Sequence, residues 1–284
     1  MRDAARSGLA VGFFDGVHLG HQAILRRASA ALTFRSHPLS VIAPEKAPRL
    51  LMTFEERLAA IRACGVEDVT VLDFTPSLAA MGPGEFVARH MTQALRDGIV
   101  HCGDNWRFGK DGTGDAKLLE RCGIKVDVVP YAQYEGRRIS STRIRAALEA
   151  GEIAAANAML GAPWTAKGEL FAGKGEGARI GCPTVNLKMK EVSLRLRCGV
   201  YAVEVMHKPG VANYGTAPTF GERAWNSPVL EIHFIDGLPT VRPGKPWKVS
   251  FLGFAREERR FACVEDLRKQ ISADIADLWY NHNR

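Results

Sequence analysis

The stretch that most constrains this chain is Gly12-Phe-Phe-Asp-Gly-Val-His-Leu-Gly-His21, together with the apolar residues just before it. Leu9 to Phe14 is a short apolar run bounded by turn residues, which reads as a buried strand. Asp15 and Gly16 break it. From Gly20 onward, His-Gln-Ala-Ile-Leu-Arg-Arg-Ala reads as a helix. A strand that passes directly into a helix belongs in an open α/β sheet. Such a sheet binds its ligand at this junction, where unpaired backbone N–H groups face an anion. His18 and His21 put two imidazoles beside the junction, and Gly20 lets a phosphate approach the backbone. The chemistry this points to is stabilisation of a polyphosphate during transfer. Two histidines three apart also fit a metal site or helix capping.

At 284 residues the chain is long enough for two domains with their own cores. Its 46% apolar and 24% charged residues are ordinary for a globular protein. No apolar run is long enough to span a bilayer and no signal-peptide pattern is present, so a cytoplasmic protein without a membrane partner is expected. The six cysteines form no Cys-x-x-Cys pair and read as small hydrophobic residues rather than a zinc or redox motif. A net charge of +7 suits anionic ligands such as nucleotides. Without a Lys/Arg run or interleaved aromatics, nucleic acid is not the expected partner.

Further along, Ala31-Leu-Thr-Phe34 reads as a second strand, with His37-Pro38 as its exit. Thr53-Phe-Glu-Glu56 is a capping box opening a helix that stops at Gly65. Strands at Val69–Phe74, Ile99–Gly103 and Lys125–Val129 alternate with helices at Pro83–Arg96 and Asp115–Cys122, the pattern of a parallel α/β domain. The loop after the third of these strands, counting from Ala31, carries Asn105 and Arg107 at a ligand position. In Ser140-Ser141-Thr142-Arg143-Ile144-Arg145, consecutive hydroxyls open a helix and offer donors to phosphate, and Arg145 adds a bidentate clamp.

The pattern changes near Pro163 to Lys167, where helices give way to strands and glycines. Gly173, Gly177, Arg179, Gly181, Pro183, Thr184 and Asn186 form one dense stretch without a Walker P-loop. Thr184 and Asn186 share one face of an extended strand, where a hydroxyl and an amide oxygen can hold Mg²⁺ with phosphate oxygens. Glu231 and His233 share a face on the strand Leu230–Asp236. Strands at Gly199–Val205 and Val249–Phe254 precede a final helix, Val264–Tyr280, with Leu267, Ile271, Ile275 and Leu278 as an apolar stripe.

These motifs, in this order, resemble the bifunctional riboflavin kinase/FMN adenylyltransferase (FAD synthetase) family of bacteria. Gly12-x-Phe14-Asp15-Gly16-Val17-His18-x-Gly20-His21 resembles the opening signature of H-x-G-H nucleotidyltransferases. Thr33-Phe34-x-x-His37-Pro38 and Ser140-Ser141-Thr142-x-Ile144-Arg145 match the family's nucleotide-site segments. Gly181-x-Pro183-Thr184-x-Asn186 resembles its kinase signature, with Cys182 and Val185 departing from it. Asn213 to Phe220, Glu231-x-His233-x-x-Asp236 and Arg256 to Phe261 match later segments.

The resemblance implies a Rossmann-like nucleotidyltransferase domain over 1–163 and a small antiparallel β-barrel kinase domain with a C-terminal helix over 164–284. It implies ATP, riboflavin and FMN as substrates and Mg²⁺ as metal. Glu231 becomes the base, and Thr184 and Asn186 the metal ligands. His18, His21 and Arg145 become catalytic, acting with Ser141 by positioning and charge neutralisation. Gly12, Phe14, Asp15, Gly20, His37, Asn105, Ser140, Ser141 and Thr142 line the first nucleotide site. Gly173, Gly177, Arg179, Gly181, Pro183 and Arg256 line the second. Gln22 to Leu32 is shorter than the family's equivalent, and Arg179 is displaced by one from the family's usual arginine at Ala178. Two other readings stay open: a riboflavin kinase with a degenerate first domain, and a nonenzymatic nucleotide- or RNA-binding protein.

Overall fold

The computed structural model describes residues 6–95, 98–172, 177, 181–189, 194–215, 229–239, 246–259 and 261–280. It divides into two compact units, Met1–Ser141 and Thr142–Arg284. The helices that follow Ser141 therefore go with the second unit, whereas the change of sequence character falls about twenty residues later.

The first unit is built on five parallel strands: β1 (Leu9–Val11), β2 (Ala30–Phe34), β3 (Asp68–Leu72), β4 (Ile99–Gly103) and β5 (Lys125–Val129). Their order is β3-β2-β1-β4-β5. Strand β1 pairs in parallel with β2 on one side and β4 on the other. The order thus reverses between β1 and β4, and the loops leaving those two strands flank the crevice where such sheets bind ligands.

Both faces of the sheet are covered, which is why the strands read as continuous apolar runs rather than alternating ones. Leu9, Val11 and Leu32 pack with Phe86, Met91 and Leu119. Ala10 and Ala31 point the other way, to Phe14, Leu25 and Ile61. Helix α1 (Leu19–Leu25) has only two turns, yet it connects β1 to a fully paired β2. The short Gln22–Leu32 segment therefore removes no strand.

Helix α2 (Phe54–Ala63) begins at the expected capping box: Thr53 Oγ1 accepts from Glu56 N and Glu56 accepts from Thr53 N. The helix expected over Pro83–Arg96 is interrupted. Pro83–Phe86 and Thr92–Ala94 are separated by a wider π-type turn, Val87–Met91. Helix α3 (Ala116–Arg121) is capped by Asp115, and a hairpin, β6 (Gln133–Tyr134) and β7 (Arg137–Arg138), closes the unit.

The second unit opens with α4 (Ser141–Ala150) and α5 (Ile153–Leu160). Six strands follow: β8 (Trp164–Phe171), β9 (Thr184–Met189), β10 (Gly199–Val205), β11 (Lys208–Gly215), β12 (Val229–Phe234) and β13 (Trp247–Arg256). They close into a barrel in the order β10-β11-β12-β9-β8-β13. Closure leaves no free edge, and Tyr201, Leu187, Ile232, Val249 and Phe251 fill the interior. Asn157 ties α5 to the barrel, accepting from Trp164 N and donating to Phe251 O.

Helix α6 (Val264–Ile275) is the last helix of the described residues and continues as one π-type turn, Ala276–Tyr280. Its stripe of Leu267, Ile271, Ile275 and Leu278 is only partly buried. The residue that α6 buries is Asp274, at 3% exposure. Arg256 grips it bidentately, Nε to Oδ1 at 2.9 Å and Nη2 to Oδ2 at 2.8 Å.

Candidate active sites

The first site forms on the loop between β1 and α1. Phe14 and Val17 hold left-handed backbone, with φ of 58° and 37°, although neither is glycine. A β-branched residue at positive φ is strained, and such strain persists only where packing enforces it. Here both side chains are buried.

Four contacts clamp the loop. Leu51 N donates to both oxygens of the buried Asp15 carboxylate, at 3.0 and 3.2 Å. Ser141 Oγ donates to Asp15 O at 2.9 Å. Thr33 Oγ1 donates to Phe13 O at 3.3 Å. The guanidinium of the fully buried Arg57 lies 3.8 Å from the Phe13 ring centroid and donates to Phe34 O and Arg35 O. Burial lowers the Arg57 pKa to about 10, partly offset by Asp15, so it stays charged at neutral pH. Asp15 and Ser141, expected to face the nucleotide, thus hold the loop that presents the histidines.

His18 and His21 stack, with ring centroids 3.6 Å apart and planes 18° apart. His18 Nδ1 accepts from His21 N at 3.3 Å, so a neutral His18 carries its proton on Nε2. A Cβ on Gly20 would meet the His18 ring at 3.2 Å, which gives that glycine a packing reason as well as a ligand one. A Cβ on Gly12 would meet the Phe14 ring at 3.0 Å.

Burial lowers the His18 pKa to about 4, its backbone hydrogen bond raises it in part, and the charge of Arg138 lowers it further. His21 is held well below its ordinary value by burial first, then by His18 and Arg138. Both imidazoles are therefore neutral at pH 7. As neutral rings they offer hydrogen bonds; the charge neutralisation expected of them from the sequence needs them protonated, which a phosphate beside them favours.

The positive charge comes from Arg138, which the sequence reading passed over. On β7, it pairs with Asp104 at 3.1 Å and donates to Asn105 Oδ1 at 2.7 Å. Arg138 thus holds the loop after β4 and acts on the histidines through its charge. Its place just before Ile139-Ser140-Ser141 was the available signal. Arg107 instead donates to Trp106 O. His37 Nδ1 accepts from Leu39 N, and its ring meets Phe13 edge-on at 4.7 Å. Helix α4 begins at Ser141, and one turn on Arg145 donates to Thr142 Oγ1 at 3.4 Å.

The second site is a polar row across three neighbouring barrel strands. Asn186 on β9 stands opposite Glu231 on β12, and Glu231 stands opposite Asn213 on β11. Directly opposed residues share a face of the sheet. Thr184 Oγ1 donates to Glu231 Oε1 at 2.7 Å. Asn213 Nδ2 donates to Glu258 Oε1 at 2.8 Å, bringing a second carboxylate to the row. His233 Nδ1 lies 3.0 Å from Pro183 O, the geometry of a protonated nitrogen donating to a carbonyl that steadies the entrance to β9.

Before β9, close approach requires a glycine at 177 and backbone conformation favours one at 181. A Cβ on Gly177 would stand 2.5 Å from Cys182 O and 2.8 Å from Thr184 Oγ1. Cys182 N donates to Gly177 O at 2.8 Å, closing the turn. Gly181 has φ +74°. Gly173 and Arg179 lie outside the described residues, as do Ala178 and the turn residues from Thr216 to Phe220. Arg256, expected at the ligand, has its guanidinium on Asp274 and on Glu257 O.

A parallel sheet with stacked neutral histidines at its reversal, joined to a barrel bearing a carboxylate, a hydroxyl and an amide in a row, is a scaffold for phosphate-transfer chemistry. Residues 1–143 match the FAD synthetase family and residues 160–279 the riboflavin kinase family. The chain is 34% identical to the bifunctional riboflavin kinase/FMN adenylyltransferase of Escherichia coli K12, across 94% of this chain and 90% of that protein. It is 32% identical to the Bacillus subtilis protein of the same name, across 96% and 91%. A solved structure titled as a macrolide-efflux protein from Streptococcus pneumoniae superposes with a TM-score of 0.83 at 29% identity, covering 97% of this chain and 95% of that one. Among the described residues no helix is long and apolar enough to cross a membrane. The chain belongs to the bifunctional riboflavin kinase/FMN adenylyltransferase family.

Proposed function

We propose that the chain makes both flavin cofactors, phosphorylating riboflavin to FMN in the second unit and adenylylating FMN to FAD in the first. The observation that carries the reading is the Thr184–Glu231–Asn186 row, in a chain whose two halves match the two enzyme families in order.

In the kinase step, Glu231 Oε1 is occupied by Thr184 and Oε2 takes the proton of the ribityl 5′-hydroxyl. The hydroxyl oxygen bonds to the γ-phosphorus of ATP, the bond to the bridging oxygen breaks, and ADP leaves. A hydroxyl that donates its hydrogen to a carboxylate presents only lone pairs outward. Thr184 Oγ1 and Asn186 Oδ1 therefore fit Mg²⁺, which when bound would neutralise charge on the ATP phosphates.

In the adenylylation step, an oxygen of the FMN phosphate attacks the α-phosphorus of ATP and pyrophosphate leaves. The nucleophile is already ionised, so no base is needed. Neutral His18 donates from Nε2 and Arg138 supplies charge, both held in place before the substrate arrives.

The test is one incubation of the protein with riboflavin, ATP and Mg²⁺, with flavins separated by chromatography, beside a second incubation started from FMN. FMN followed by FAD is expected. FMN without FAD in either tube refutes the first-unit reaction, and no product refutes the whole reading.

A further inference from the structure

The glycine turn before β9 has a neighbour distant in sequence. A Cβ on Gly181 would stand 3.2 Å from Arg268 Nη2, 3.8 Å from its Cζ and 4.0 Å from its Nε. The guanidinium therefore lies across the bare Cα of Gly181, three residues before Thr184. Arg268 is exposed, so a ligand on this turn can reach it.

The helix that carries it is anchored. Asp274 is almost fully buried and receives Arg256 bidentately, and Gln270 Nε2 donates to the same carboxylate at 2.7 Å. Asp274 lies six residues after Arg268, a rise of about 9 Å along the helix. A buried, hydrogen-bonded ion pair thus fixes the helix that sets Arg268 over the turn.

The chemistry of the row calls for a cation here. Thr184 and Asn186 bring oxygen ligands without charge, while Glu231 and Glu258 bring two carboxylates. A nucleoside triphosphate approaching that face meets repulsion unless positive groups answer it. A guanidinium is always charged and offers two parallel N–H donors to a phosphate.

We propose that Arg268 binds the terminal phosphates of ATP in riboflavin phosphorylation. Arg256, which its motif placed at the ligand, is instead the anchor of the helix that carries Arg268. The assignment rests on the second unit being the kinase.

Steady-state FMN formation by the full chain tests it, varying ATP at saturating riboflavin and then the reverse. Arg268→Gln should raise KM for ATP about tenfold and leave KM for riboflavin within about twofold, as loss of one charged phosphate contact requires. Arg268→Lys should recover part of the loss. ADP binding by calorimetry should weaken in parallel. An unshifted urea unfolding midpoint, with the unchanged KM for riboflavin, serves as the folding control for the second unit. An unchanged KM for ATP, or equal rises for both substrates, overturns the proposal. A wild-type protein that makes no FMN overturns the kinase reading itself, which separates the two failures.

Discussion

Acidification should destabilise the first unit through His18. The folded pKa near 4 stands against 6.5 for the free side chain, a separation of about 2.5 pH units and about 3 kcal/mol at full effect. Between those values the unfolded chain binds more protons than the folded one. Stability is therefore fully present above pH 6.5 and falls as pH drops towards 4. At pH 5 the loss from His18 alone is about 2 kcal/mol. Urea unfolding followed by the NMR signal of the Trp106 indole measures this, because Trp106 is the one tryptophan in residues 1–141 and a resolved resonance separates it from the four others. The His18→Asn variant keeps an acceptor for His21 N but has no ring to protonate. Its loss of stability between pH 7.5 and 5 should be smaller than the wild type's by about 2 kcal/mol. NMR of the ring protons should show His18 untitrated at pH 5.5. A His18 midpoint near 6.5, or equal pH dependence in the two proteins, refutes the reasoning.

Three further outcomes follow from the second unit. Glu231→Gln should lower kcat for FMN formation by about 10²–10⁴-fold, while adenylylation of supplied FMN proceeds, as separate assays of the two reactions will show. Asp274→Ala strands the Arg256 guanidinium and should cost about 3–5 kcal/mol in chemical denaturation, with Asp274→Ala/Arg256→Met recovering part of it. Gly177→Ala drives a Cβ to 2.5 Å from Cys182 O and should raise KM for ATP in FMN formation, with adenylylation kinetics unaltered.

Much of the local structure was legible because it is written in short-range chemistry. The capping box at Thr53 and Glu56 needs only four consecutive residues, and it forms as read. The apolar run Leu9–Phe14 is longer than the strand it forms: β1 stops at Val11, and Phe14 already holds left-handed backbone in the loop. The helix after Pro83 was less legible, since the widening at Val87–Met91 leaves no mark in an apolar pattern with helical spacing. The terminal helix shows the limit most clearly. Its apolar stripe predicted which side faces the barrel, yet the residue it buries most completely is an aspartate. Asp274 is buried with its charge answered by Arg256, which reaches it from β13.

What the sequence by itself determined was the succession of an α/β region and a strand-rich region, and the list of chemically competent groups: His18 and His21 at a strand–helix junction, and Thr184, Asn186 and Glu231 on strands. Periodicity, turn residues and motif spacing encode these, and all three act over a few residues. What only the tertiary structure decided was the state and partner of each group. Burial from both sides of the loop makes the histidines neutral, and the hairpin that carries Arg138 supplies the charge they lack. Asp15 and Ser141 turn out to brace the loop, and Arg256 to anchor a helix. A proton affinity depends on the dielectric and charges around a group. A guanidinium's role depends on which carboxylate lies within about 3 Å. Chain folding sets both through contacts tens to hundreds of residues apart, as between Asp15 and Ser141, 126 residues distant.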